Sequence, residues 1–135
     1  MIQFFFENID ELAIEPSTTR WLEDLLYSEH KKVGDINYIF CDDEYVLKVN
    51  REYLQHDYYT DIITFDYVKG NTISADIFVS LPRIFENADT HSTASKIEMH
   101  RVLAHGLLHL CGYKDKTDME IKEMRFKENF YLNKL

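Results

Sequence analysis

The stretch HGLLHLCGYKD, residues 105–115, constrains this chain more than any other. Two imidazoles four residues apart, His105 and His109, share one face of a helix, with Cβ atoms roughly 5–6 Å apart. Gly112 follows three residues later and can adopt the left-handed conformation that ends a helix. The spacing therefore predicts a helix that stops here and a chain that doubles back, presenting Asp115 to the same point as the imidazoles. Three protein ligands with an open fourth position are what a catalytic zinc uses, whereas structural zinc is usually closed by four. His105, His109 and Asp115 are accordingly the candidate ligands of one zinc ion, or of another divalent transition metal. A lone histidine pair is a weaker sign, because most helical histidines are solvated or hydrogen-bonded in a core. The glycine and aspartate at fixed offsets distinguish this pair.

Residues 95–111 read as the long helix that carries the ligands. At roughly 100° per residue, Ile97, Leu103, Ala104, Leu107, Leu108 and Cys111 form a broad apolar arc. Glu98, Arg101, His105 and His109 lie opposite, so the pair faces a pocket or another element. His100 falls within the apolar arc and is expected to make a hydrogen bond in the core or behind a ligand.

The rest of the chain alternates strand and helix. IQFFF (2–6) is an expected edge or core strand from its aromatic and β-branched content. Residues 17–32 place Trp21, Leu22, Leu25 and Leu26 at helical spacing after Pro16, with Ser17 or Thr18 as cap. His30, Lys31 and Lys32 then fall in the last turn, and Gly34 is the breaker. INYIFCD (36–42) alternates as a strand, and Asp42 or Asp43 caps a helix to about Leu54. TDIITFDY (60–67) and TISADIFVS (72–80) predict an antiparallel hairpin about Lys69-Gly70-Asn71. Pro82 opens a short helix to about Ala88, and DTHSTAS (89–95) is a loop. Thr117 and Glu120 form a capping box for a last helix to about Asn133. The order βαβαββααα predicts an α/β (α+β) architecture. It has one domain over residues 1–135, a mixed sheet of about four strands, about five helices, and the metal site at the C-terminal end of a long central helix.

Composition bounds the partners. At 135 residues with 45% apolar content, the chain can bury roughly two-thirds of its unfolded surface. Cys41 and Cys111 are too few for a disulfide framework or a thiolate cluster, which suits a reducing compartment, the cytoplasm by expectation. MIQFFFENIDEL lacks a basic leader and soon meets Glu7, Asp10 and Glu11, so neither a signal peptide nor membrane attachment is expected. A formal charge of −9 opposes non-specific adhesion to polyanions. A nucleic-acid role needs a local patch: Arg101, Lys114 and Lys116 are near the ligands in sequence, and Lys48, Arg51 and His56 join them if the fold permits. Tyr58, Tyr59 or Tyr113 can stack the bases of a single strand. Nothing in the sequence fixes the oligomeric state.

The residue after the first ligand separates the hydrolases. Zinc peptidases of the H-E-x-x-H type carry their general base there, and here that position is Gly106. A metal can polarise a phosphoryl oxygen and acidify a water without a dedicated base. A hydrolase that relies on metal-bound hydroxide, acting on phosphodiesters, thus stands open beside a peptidase lacking its usual base, and a non-catalytic assembly factor, its metal pinning the helix end, is a third reading.

HGLLHLCGYKD resembles the signature H-G-x-L-H-L-x-G-Y-D-H of the YbeY endoribonuclease family, bacterial rRNA maturation factors. It matches at His105, Gly106, Leu108, His109, Leu110, Gly112 and Tyr113. Lys114-Asp115 stands where that family usually has Asp-His, so Asp115 takes the place of its third histidine, and the added negative charge weakens the Lewis acidity of a bound ion. VNREYLQHDYYTDIITF (49–65) is similar to the family segment ending P-T-D-V-L-S-F through Thr60, Asp61 and Phe65. ADIFVS (75–80) is similar to its G-D-I strand through Asp76. Leu54 replaces a common family Arg, leaving Arg51 or His56 to take over any phosphate contact. The resemblance implies an α/β fold with a mixed sheet. It implies a metal-dependent, single-strand-specific endoribonuclease in ribosomal RNA processing, notably at the small-subunit RNA 3′ end, and in ribosome quality control. RNA and the ribosome or its associated proteins are the implied partners, with Arg51, His56, Arg101 and Lys114 as substrate-binding candidates.

Overall fold

Where each segment can cap its own ends, its boundaries fall close to the sequence reading. The computed structural model describes residues 1–56, 58 and 60–135. Among these, the order is β1 (Ile2–Glu7), α1 (Pro16–Ser28), β2 (Lys32–Cys41), α2 (Asp43–Leu54), β3 (Ile62–Asp66), β4 (Thr72–Ser80), α3 (Leu81–Thr90), α4 (Ser95–Leu110) and α5 (Asp118–Leu132). Asp42 caps α2 by accepting the Tyr45 amide at 2.7 Å. The Thr117–Glu120 box closes reciprocally on α5, at 3.2 and 2.9 Å.

The four strands form one mixed sheet in the order β1-β2-β4-β3. β1, β2 and β4 run parallel, and β3 pairs antiparallel with β4 as the expected hairpin. One face carries Ile36, Tyr38 and Phe40 of β2 and Ile73, Ala75, Ile77 and Val79 of β4. These pack on Trp21, Leu22, Leu25 and Leu26 of α1 and Leu103, Leu107 and Leu108 of α4. Phe4 and Phe6 extend this layer by stacking on Tyr38 and Phe40. The other face is covered at one end, where α2 sets Val46 and Val49 against Cys41 and Ile63. α4 is the central helix, in contact with the sheet, α1, α3 and α5. A buried hydrogen bond from the Tyr38 hydroxyl to the Leu103 carbonyl, 2.9 Å, ties it to the sheet.

Three local expectations are corrected. α1 stops at Ser28, before the predicted last turn. Glu29 is its C-cap, and His30 takes the left-handed conformation at φ 60. The His30 amide donates to Tyr27 O and the Lys31 amide to Leu26 O, the paired bonds of a Schellman ending. Lys32 thus opens β2, and Gly34 lies inside that strand at a register shift between Val33 and Ile36. At the other end Glu15 is the N-cap, with Pro16 in the first turn; Thr18 turns inward and meets His100 Nε2 at 2.8 Å. Ile97, placed in the apolar arc of α4, is 45% exposed, because it borders an open groove with Trp21 of α1 and Leu135 rather than packing into the core. His100 is a core residue, its Nδ1 2.7 Å from Lys96 O and its ring edge-on to Trp21.

Candidate metal centre

The end of α4 builds the site. The Gly112 amide donates to His109 O at 3.0 Å and the Tyr113 amide to Leu108 O at 3.1 Å, a second Schellman ending. Gly112 has φ 109, a backbone conformation that strains any residue with a Cβ. The reversal brings Asp115 back over the helix face. Its Oδ2 lies 3.4 Å from His105 Nε2 and 3.4 Å from His109 Nε2. Donors about 2.0–2.1 Å from a tetrahedral ion are roughly 3.3–3.4 Å from one another. The two separations to Asp115 match that spacing, and all three ligand atoms lie within 4.8 Å of one another, a cluster that could hold one small divalent cation. Two imidazoles and a carboxylate form a borderline-hard set that suits zinc and leaves a fourth direction open.

Each imidazole is oriented from behind. His109 Nδ1 lies 2.9 Å from the Tyr113 carbonyl, an acceptor only, so this nitrogen carries the proton and Nε2 keeps its lone pair for an ion. His105 Nδ1 lies 2.7 Å from Glu128 Oε2 on α5. Arg101 Nη1 donates to the other oxygen of that carboxylate at 3.0 Å. Burial alone disfavours the Glu128 charge, but the hydrogen bonds from His105 and Arg101 outweigh it and hold the carboxyl below its ordinary range. Burial likewise depresses His105, and its bond to Glu128, with the charges of Glu128, Asp115 and Asp61, raises it above its ordinary value on balance. Tyr113 is itself tethered, its hydroxyl donating to Glu29 Oε1 at 2.7 Å. Tyr131 and Lys127 of α5 donate to Glu29 Oε2. Neither cysteine supplies a thiolate: burial pushes Cys41 up to about 12 and Cys111 up to about 11.

Glu128 was not among the sequence candidates. It sits among the buried residues of α5, with Met124 four positions before it and Tyr131 three after. A carboxylate in an otherwise apolar stripe was the available signal.

Gly106 has a packing reason. A Cβ there would meet Ile62 Cδ1 at 3.0 Å and Ile77 at 3.6 Å, so the helix is pressed against the sheet at the position where a peptidase carries its base. With that geometry in hand, comparison with known proteins is decisive, for a family model described as Endoribonuclease YbeY matches residues 4–135. The chain belongs to the YbeY endoribonuclease family. Relatives named Endoribonuclease YbeY include one from Flavobacterium johnsoniae, 54% identical over 129 residues, covering 96% of this chain and 93% of the relative. Another, from Cytophaga hutchinsonii, is 50% identical and covers 98% and 94%. A solution structure of a Thermotoga maritima protein aligns with TM-score 0.67 and 26% identity, over 98% of this chain and 87% of that one.

The YbeY-like segments fall at different distances from the ligands. Asp61 lines a cavity of about 350 Å³ beside His105 and Asp115, whereas Asp76 lies on β4 and accepts Asn37 Nδ2 at 3.0 Å. Phe65 packs edge-on against Phe78 and Tyr53. Of the substrate candidates, Arg101 lines the cavity with its guanidinium on Glu128. Arg51 and His56 are exposed on and just beyond α2, and Lys114 is exposed between Tyr113 and Asp115; none of the three lines that cavity. His56 stacks on Tyr58 at 5.2 Å. Tyr59, the other stacking candidate, lies outside the described residues. Among the described residues, no helix is long and apolar enough to cross a membrane.

Proposed function

We propose that this chain is a metal-dependent, single-strand-specific endoribonuclease, with His105, His109 and Asp115 holding one divalent ion, zinc first. The observation that carries the reading is the ligand triangle: two Nε2 atoms 3.4 Å from one carboxylate oxygen, each imidazole fixed through Nδ1. A bound ion supplies Lewis acidity toward a phosphoryl oxygen at the open position. Glu128 and the Tyr113 carbonyl keep both imidazoles in the metal-binding tautomer, and Gly106 stands where a peptidase carries its base. Family membership favours RNA over peptide. Small-subunit ribosomal RNA maturation and ribosome quality control in the cytoplasm, by a single domain over residues 1–135 working with ribosomal partners, are the biological setting this reading supports. Arg51, His56 and Lys114, each exposed, are the candidates for contact with the phosphate backbone, where contacts weaken with salt.

The test is a purified preparation assayed for bound metal and for cleavage of single-stranded RNA, double-stranded RNA and an unfolded protein, beside a folded His109→Ala variant. Cleavage of single-stranded RNA that disappears in the variant is the expected result. Cleavage unchanged in the variant sinks the metal mechanism. Peptide cleavage lost with His109 would favour a peptidase, and metal without either activity an assembly factor.

A further inference from the structure

The cavity beside the ligands runs along α4 past Val102 and Arg101 to Glu98, with Met124 of α5 and Asn87 and His91 of α3 also lining it. Glu98 is the residue that the metal centre does not explain. Its side chain is 8% exposed, and its nearest charged partner is Arg101 Nε at 4.0 Å, a guanidinium already bonded to Glu128. Among the described residues no hydrogen bond reaches its carboxylate. Its place in the first turn of α4 eases the charge through the helix dipole, and because no buried side-chain oxygen among the described residues lacks a partner, its unbonded carboxylate keeps its small solvent contact, which on this side is the cavity. N–H groups arriving from the cavity can therefore replace the water on this carboxylate.

A phosphate does not meet that need. Asp61, Glu98, Asp115 and Glu128 all line the space, and the two guanidiniums present, Arg101 and Arg125, are both paired with Glu128. A neutral ring with donors on its edge fits better. Val102 and Met124, buried at 5% and 2% exposure, offer it apolar contact, and the volume lies at the small end for ligand pockets. Glu98 precedes His105 by about two helical turns, roughly 10 Å along the axis, within reach of a base whose own phosphate sits at the metal ligands.

Building on the RNA-cleaving reading above, we infer that this cavity is a nucleobase pocket for the nucleotide flanking the scissile phosphodiester, with Glu98 selecting the base. Single-stranded RNA is read by hydrogen bonds to the Watson–Crick edges of splayed bases. Guanine is the best partner, since its N1–H and N2 amino group lie side by side and match two carboxylate oxygens. Adenine and cytosine each offer one amino group beside a ring acceptor. Uracil fits worst, its single N3–H standing between two carbonyls that the carboxylate repels.

The test uses the zinc-loaded protein and 2′-O-methyl pentanucleotides of uridine, blocked against attack by their own 2′ hydroxyl, with one position changed to guanosine, inosine, adenosine or cytidine. Equilibrium titration is expected to show one position at which guanosine binds about tenfold more tightly than uridine, with inosine, which lacks the amino group, between them. In Glu98→Gln and Glu98→Ala, checked for fold and metal content, the guanosine-to-uridine ratio is expected to collapse toward one. Equal affinity for guanosine and uridine at every position in the wild type overturns the pocket without recourse to any variant. So does a ratio unchanged in both folded variants. The two readings fail separately: single-stranded RNA cleaved with no base preference defeats the pocket alone, and base-selective binding by a protein that cleaves no RNA defeats the endoribonuclease reading alone.

Discussion

The two imidazoles of the centre are held by different kinds of structure. His109 is oriented by a carbonyl four residues along the same chain reversal that delivers Asp115, so this half of the site is completed within residues 109–115. His105 is oriented by Glu128, 23 residues away on another helix, whose charge is balanced by Arg101. The first half forms once α4 stops correctly; the second exists only when α5 has docked. A metal site can thus be half local and half tertiary, and the halves should respond differently to damage.

Removing a ligand breaks both halves and has the largest expected effect. His105→Ala or His109→Ala should lower zinc affinity by at least about a hundredfold, one ligand's share of a zinc-binding free energy, as read by competition with a chelator. Wild-type affinity in either variant would rule that residue out as a ligand.

Glu128→Gln strikes the tertiary half alone. It should weaken metal binding by about 10–100-fold and destabilise the metal-free protein by about 2–4 kcal/mol, because Arg101 loses its hydrogen-bonded carboxylate and keeps only the more distant Glu98. Denaturant unfolding with and without zinc checks both figures, and a change in stability with no change in affinity would reduce Glu128 to a packing role.

Gly112→Ala strikes the local half. No atom lies within 4 Å of the added methyl, so its whole effect is backbone strain at φ 109. The expected loss is about 1–3 kcal/mol, with Tyr113 and Asp115 displaced and metal affinity reduced along with stability. An undiminished affinity would mean that the reversal tolerates another route.

Glu29 shows how far the local half depends on its surroundings, with the smallest effect. Burial raises its carboxyl, but hydrogen bonds from Tyr131, Tyr113 and Lys127 outweigh burial and leave it below the ordinary 4.5. In acid the unfolded chain binds this proton first, so its contribution is complete above the unfolded value and is lost as pH falls through the folded one. Glu29→Gln should lose about 1 kcal/mol near neutrality and show a flatter decline in stability below about pH 4.5. An identical acid profile would remove Glu29 from the account.

Legibility in the sequence follows the same division. The Asp42 cap, the Thr117–Glu120 box, the β3–β4 turn and the His105–His109–Asp115 convergence each depend on residues a few positions apart, and each was readable. The end of α1 was not. It is set by a left-handed His30 and by Glu29, whose partners Tyr113 and Tyr131 come 84 and 102 residues later. The order β1-β2-β4-β3 was open for a similar reason, since parallel pairing is decided by crossover packing rather than by a turn. Glu98 already shares the ligand sector of α4 on the helical wheel, whereas Glu128 is visible only as a charge on a helix, and packing alone reveals that it faces the site interior.

The contact of Gly106 with Ile62 and Ile77 also limits how this scaffold can vary. A glutamate at position 106 would create the H-E-x-x-H spelling in a single substitution, yet its first side-chain carbon already meets the sheet. Acquiring a peptidase base would require the Ile62 side chain of β3 to give by a few tenths of an ångström beneath the helix. A neighbouring chemistry that looks one codon away in sequence therefore also asks the sheet side chains under the helix to move.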